Sequence, residues 1–204
     1  MQEGSKAACR TRCVSARSRM TLEERTLAAA ELAAVVPALI ADLPPGPVAA
    51  YVSVGTEPGT LDLLAALRNG PREVLLPLLL PDGDLDWAVD HGDLRSGPRG
   101  LLQPSGPGLG RDAVADCALV LVPALAVDRS GTRLGRGGGS YDRALARATG
   151  LAVAALHRGE LVERLPAEPH DRPVHAAVVP GEGLVRLRPQ PFAPHGGAPG
   201  GMAP

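Results

Sequence analysis

The sequence predicts one compact α/β domain over residues 1–188, with a mostly parallel or mixed central sheet between helices. Three observations predict it. Apolar runs at residues 48–54, 117–123 and 151–156 have the length and boundaries of buried strands. Helix signals fall between such runs, and a strand–helix–strand order packs most naturally as a parallel sheet covered by helices. At 204 residues the chain has enough surface to bury for one core and too little for a second.

The elements follow in order. A basic, cysteine-containing segment opens the chain. Thr21 and Glu24 then have the T-x-x-E spacing in which each side chain satisfies an exposed amide of a first helical turn. The Ala-rich body runs to about Val36, with Leu27, Leu32 and Val36 on its apolar face. Pro37 ends or bends it, and Leu39, Ile40 and Leu43 can extend the face by another turn. Prolines at 44, 45 and 47 precede the strand at 48–54, and LDLLAALR from Leu61 reads as a helix. Residues 73–76 form a short strand stopped by Pro77, residues 82–84 a turn, and residues 90–111 a loop-rich stretch. The strand at 117–123 leads into a glycine-rich segment, then a helix over 141–148 and a strand over 151–156. Residues 175–180 and 183–189 make a late strand and an edge strand, with Gly181 and Gly183 in the turn. The last sixteen residues carry five prolines and four glycines, so 189–204 is expected to be a flexible tail.

Twenty-one Lys and Arg stand against 22 Asp and Glu, so the molecule has no overall cationic field for holding a nucleic-acid backbone. No apolar stretch is long enough to cross a bilayer and no signal peptide is visible, which points to a cytoplasmic protein with no membrane partner. The odd cysteine count (Cys9, Cys13, Cys117) and the lack of zinc-ligand spacing fit reduced, incidental thiols. A monomer is expected.

The chemistry concentrates between Leu119 and Arg147. Gly135, Gly137, Gly138 and Gly139 sit between a strand and a helix, where bare backbone amides can line an anion-binding concavity. Between residues 129 and 143, Arg129, Arg133, Arg136 and Arg143 oppose only Asp142, a local excess of positive charge that suits phosphate. The segment is neither a GxxxxGK[ST] loop nor a full GxGxxG, because Ser140 stands where the last glycine would fall. A structural turn and a solvated arginine cluster remain open beside the ligand-loop reading.

The run VPALAVDRSGTRLGRGGGSYDR resembles the family pattern VPGLAFDxxGxRLGxGxGYYDR of the 5-formyltetrahydrofolate cyclo-ligases (methenyltetrahydrofolate synthetases), with uninterrupted spacing. Lys6-x-x-x-Arg10, MTLEER, Glu57-x-x-Thr60, LLPLLLP, Gln103-Pro104 and HDRPVHAAV add to the resemblance in the family's order, over roughly residues 5–185. The resemblance implies a compact α/β enzyme that uses ATP and Mg²⁺ to convert 5-formyltetrahydrofolate, with or without a polyglutamate tail, into 5,10-methenyltetrahydrofolate. In that reaction a phosphoryl group activates the formyl oxygen, and the folate nitrogen at position 10 closes the ring.

By the same resemblance Lys6, Arg10 and Arg136 act on the phosphates. The nucleotide loop comprises Arg133, Leu134, Gly135, Arg136, Gly137, Gly138, Gly139, Ser140 and Tyr141. Glu57, Thr60, Trp87, Gln103, Pro104 and Tyr141 fall on the folate side, and Asp142 with His175 would surround the metal. Thr60 has a helix-capping reading of equal standing, Trp87 that of a buried structural aromatic, and Asp142 that of a helix-start cap. Ser140 replaces the first tyrosine of the family's YYD, and His175 stands where the family has an aspartate. Those departures motivate the alternative, a related folate or nucleotide sensor that binds without turnover.

Overall fold

A computed structural model describes residues 5–188; the expected tail at 189–204 lies outside the described residues. In chain order the elements are α1 (Lys6–Ser18), α2 (Leu22–Ala41), β1 (Val48–Ala49), α3 (Leu61–Arg68), β2 (Val74–Leu79), β3 (Leu85–Val89), β4 (Leu94–Ser96), β5 (Leu102–Pro104), β6 (Leu119–Pro123), β7 (Ala126–Asp128), β8 (Arg133–Leu134), α4 (Ser140–Arg147), β9 (Leu151–Ala155), β10 (Leu161–Val162), β11 (Ala176–Val179) and β12 (Gly183–Arg186).

The main sheet has the order β12-β11-β9-β6-β1-β2-β3. Its five inner strands are parallel and the two edge strands antiparallel, the mixed sheet that the sequence predicts. Both faces are covered, as a parallel sheet requires. Alternate residues of β6 go to opposite cores: Leu119 and Leu121 pack with α2 and α3 residues such as Leu32, Val36, Leu63 and Leu64. Val120 and Val122 pack on the other side with Trp87 and with Ala144 and Leu145 of α4. A small sheet, β10-β7-β8, grows from the end of β6, and α1 rests on it through Cys9, which packs with Leu125, Ala126 and Leu134.

The start of α2 is the expected reciprocal cap: the Glu24 amide donates to Thr21 Oγ1 at 3.2 Å and the Thr21 amide to Glu24 Oε2 at 2.8 Å. Two details differ from expectation. Leu27 is 53% exposed, because it lies five residues from Leu32; the buried stripe is Ala28, Leu32, Val36 and Ile40 at four-residue spacing. Pro37 does not end the helix, which continues to Ala41 because the stripe stays buried on both sides of it.

Pro77 does not stop β2 either. The Leu75 carbonyl accepts from Ala50 of the neighbouring strand, whereas the Val74 carbonyl accepts from Asp90 on the β3 side. Alternation therefore turns the Pro77 nitrogen toward β1, whose pairing has already ended at Leu75. The missing N–H removes no ladder bond. The run at 48–54 is paired only at Val48–Ala49, although burial continues through Val52. Beyond Ala50 the chain leaves the ladder and enters the site.

Candidate active site

A cavity of about 910 Å³ lies against the carboxyl ends of β1 and β6, bounded by α1, the glycine loop, the β2–β3 hairpin and the segment at 168–172. Ligand clefts of open α/β sheets form at such strand ends. The loop from Gly135 to Gly139 leaves β8 and starts α4. Gly137 has φ +101° and Gly139, the residue before α4, has φ +69°, conformations that favour glycine. Arg10 of α1 donates its Nε–H to the Gly135 carbonyl at 2.9 Å. A Cβ on Gly137 would just touch the Arg10 guanidinium, 3.4 Å from its carbon, so it is the positive φ rather than crowding that favours glycine there.

Lys6, one turn earlier on the same face, reaches Glu168 at 2.8 Å and Asp171 at 2.7 Å. Burial alone would lower its pKa, but the hydrogen bonds it donates to Asp171 and Glu168 outweigh it and raise the value. Glu168, His170 and Asp171 gather ligand atoms within 4.8 Å of one another, and the Lys6 ammonium already bridges the two carboxylates.

Arg136 crosses the cavity to Glu57, with Nε 3.0 Å from Oε1. The other Glu57 oxygen accepts the Val54 amide at 2.9 Å, which fixes the carboxylate in the turn after β1. The loop cation and the expected folate carboxylate therefore face each other in one space. Arg133 is buried, donates to Asp142 Oδ2 at 3.0 Å and lies 5.9 Å from the centre of the Tyr141 ring. Asp142 Oδ1 accepts the Arg172 amide at 3.3 Å. Ser140 and Arg143 both donate to the Gly83 carbonyl, so the hydroxyl at the departing position ties the start of α4 to the β2–β3 turn. Tyr141 is half-buried at the cavity, and desolvation first, with Glu57 nearby, pushes its phenol up, which keeps it protonated at neutral pH. Gln103, on β5, reaches the rim, and Leu134 lines the wall.

Four expected residues are placed elsewhere. Trp87 is fully buried in the core beneath α4, packed with Ala144 and Leu145, and does not line the cavity, although its cross-strand partner Pro77 does. Thr60 is also fully buried. Its Oγ1 accepts the Ser53 amide at 2.9 Å and its amide donates to Ser53 Oγ at 3.1 Å, so it braces the Glu57 turn; it makes no helix-capping bond. Pro104 is buried in β5, behind Gln103.

His175 is exposed at the far end of the sheet, where its Nδ1 accepts the Ala152 amide at 2.9 Å. Ala152 lies near the start of β9, and the cavity opens beyond the opposite end of the neighbouring β6, so His175 does not join Asp142 in one site.

Sequence reasoning missed Arg17, Glu168, Arg99 and Tyr51, all on the cavity wall. Arg17 follows Arg10 by seven residues, the helical repeat that puts it on the same face as Lys6 and Arg10. It is 1% exposed and forms a bidentate pair with Glu160 at 2.6 and 2.8 Å.

Lys6, Arg10, Arg136 and Arg143 around a glycine backbone form a donor set that matches a polyphosphate. A magnesium ion that arrives with phosphates needs only one or two protein carboxylates. Asp142 lines the cavity, so the residues present fit such an ion without His175.

Fold and site together define an α/β domain with a cationic glycine loop and a carboxylate-bearing pocket on one cavity. The family model for the 5-formyltetrahydrofolate cyclo-ligase family matches residues 2–180. A 5-formyltetrahydrofolate cyclo-ligase of Mycolicibacterium smegmatis is 43% identical over 149 residues, 69% of this chain and 77% of that protein. The protein of the same description from Escherichia coli K12 is 31% identical over 142 residues, 66% of this chain and 78% of its own.

Among solved structures, the 5,10-methenyltetrahydrofolate synthetase of Aquifex aeolicus superposes with a TM-score of 0.77 at 26% identity, covering 93% of this chain and 96% of that one. A Mycoplasma pneumoniae synthetase, at 15% identity and TM-score 0.67, shares the fold over 87% of this chain and 98% of its own. This chain belongs to the 5-formyltetrahydrofolate cyclo-ligase family, and membership supports a cyclo-ligase activity. Among the described residues, no helix is long and apolar enough to cross a membrane.

Proposed function

We propose that the chain catalyses the ATP-dependent conversion of 5-formyltetrahydrofolate to 5,10-methenyltetrahydrofolate, releasing ADP and phosphate. The observation that carries this reading is the single cavity in which the cationic glycine loop and the Glu57 carboxylate face each other across a 3.0 Å ion pair. A formamide oxygen leaves poorly as oxide. Transfer of the γ-phosphoryl group to it makes a viable leaving group and a more electrophilic carbon; attack by the nitrogen at position 10 then expels phosphate.

The chain's part is orientation and charge stabilisation. Lys6, Arg10 and Arg136 take the phosphates, with Arg10 already seated on the loop backbone. Glu57 accepts the amino-pyrimidine edge of the pterin, for which Arg136 is its partner in the free protein. Gln103 and Tyr141 wall the folate, and Asp142 holds magnesium, which neutralises phosphate charge when bound.

The test is a turnover assay with 5-formyltetrahydrofolate, ATP and Mg²⁺, following absorbance of the methenyl product with ATP omitted as control. ATP-dependent product formation is expected. Binding of both ligands without product would favour the sensor reading instead.

A further inference from the structure

Tyr51 lies just past β1, the strand next to β6 at the middle of the sheet, where the chain leaves the ladder and reaches the cavity. Its side chain is 3% exposed, yet its hydroxyl has no hydrogen-bond partner. A buried hydroxyl left unpaired costs stability, and native proteins rarely tolerate one without a reason. The unused donor of Arg17 lies on the same cavity wall: Nε and Nη2 are engaged by Glu160 and the Ala124 carbonyl, while Nη1 has no partner. Two residues of the cavity wall thus carry buried donors without a partner. Burial, with Glu57 next, raises the Tyr51 phenol well above its ordinary value, so it remains a neutral O–H donor across the physiological range.

The Glu57 carboxylate can only accept hydrogen bonds. An aminopyrimidinone ring presents N–H donors and, beside them on the same edge, a carbonyl oxygen. A carboxylate alone satisfies the donors and leaves the oxygen unpaired. We propose that the Tyr51 hydroxyl is a substrate-positioning donor that takes the ring carbonyl oxygen of the bound pterin while Glu57 takes the adjacent N–H groups. This inference rests on the folate reading of the cavity and adds a determinant of which heterocycle the site accepts: a ring with an acceptor beside its donors.

Tyr51→Phe tests it, because the ring and its packing stay while only the unpartnered oxygen leaves. In the free protein no hydrogen bond is lost, so the thermal midpoint is expected to stay unchanged or rise. Equilibrium binding of 5-formyltetrahydrofolate and its KM are expected to weaken about tenfold, with the KM for ATP unchanged. Unchanged folate binding overturns the proposal, as does a loss confined to ATP. A lowered thermal midpoint with intact folate binding also overturns it and makes the hydroxyl a structural group. The wild-type control separates this from failure of the functional reading: if wild type neither binds folate nor turns over, the reading of the cavity fails. If wild type does both and Tyr51→Phe matches it, only the role of Tyr51 fails.

Discussion

At the scale of single residues, Arg136 carries the clearest expectation. Its side chain is 56% exposed, and the Glu57 carboxylate it pairs with keeps the Val54 amide when Arg136 is removed, so the loss should disturb folding less than ATP use. Arg136→Ala should nevertheless lower kcat/KM for ATP by about 30-fold, near 2 kcal/mol, because a positioned cation on a transferring phosphoryl group acts in the transition state. Steady-state kinetics at varied ATP checks this; an unchanged value would return Arg136 to an ordinary surface charge.

His157 gives a pH prediction. It is buried, its Nε2 bonds the Thr56 carbonyl beside Glu57, and burial lowers its pKa below 6.5 despite that bond. The folded state therefore prefers the neutral ring. The stability it contributes is present above pH 6.5 and is lost as pH falls through the folded pKa, because the unfolded chain takes up the proton first. Urea midpoints of the wild type should fall from about pH 7.5 to about pH 5.5, a range where ordinary carboxylates do not titrate. His157→Gln should flatten that slope.

Among elements, the β2–β3 hairpin is tied to the rest of the site at Asp84. This buried carboxylate takes Arg147 of α4 at 2.9 and 3.1 Å and Arg111 at 3.3 Å. Burial alone would raise its pKa, but the Arg147 hydrogen bond and the Leu85 amide outweigh it and hold the value low. Asp84→Asn should cost about 2 kcal/mol in urea unfolding, since it leaves partly buried arginines short of a counter-charge. It should also loosen the hairpin whose Gly83 carbonyl holds Ser140 and Arg143.

Most elements were legible in the sequence because their signals are local. The T-x-x-E cap fixed the start of α2, and the unbroken apolar run along 119–123 matched a strand covered on both faces. What escaped depends on partners remote in sequence. Pro77 continues β2 only because β1 has already departed, and Trp87 is sealed into the core by β6 and α4 residues remote from it in sequence. The loop residues that line the site were legible through their spacing. The Lys6 contacts to Glu168 and Asp171, 162 and 165 residues away, were not. His175 shows the opposite failure: its place in the motif suggested a ligand, while its strand puts it at the wrong end of the sheet.

For the whole molecule, among the described residues those assigned to the cavity lie within residues 6–172, and the last strand ends at Arg186. Truncation after Pro189 should therefore leave turnover and the thermal midpoint essentially unchanged; a folded truncation that lost most of its kcat would place part of the active site in the last residues. The central claim is that one cavity brings the formyl oxygen to the transferring phosphoryl group. The most direct measurement uses 5-formyltetrahydrofolate with heavy oxygen in the formyl group, turned over with ATP in ordinary water, followed by mass analysis of the released phosphate. The account predicts one labelled oxygen in each phosphate, formed in step with the methenyl product. Unlabelled phosphate accompanying that product, or bound ligands with no product at all, would contradict it.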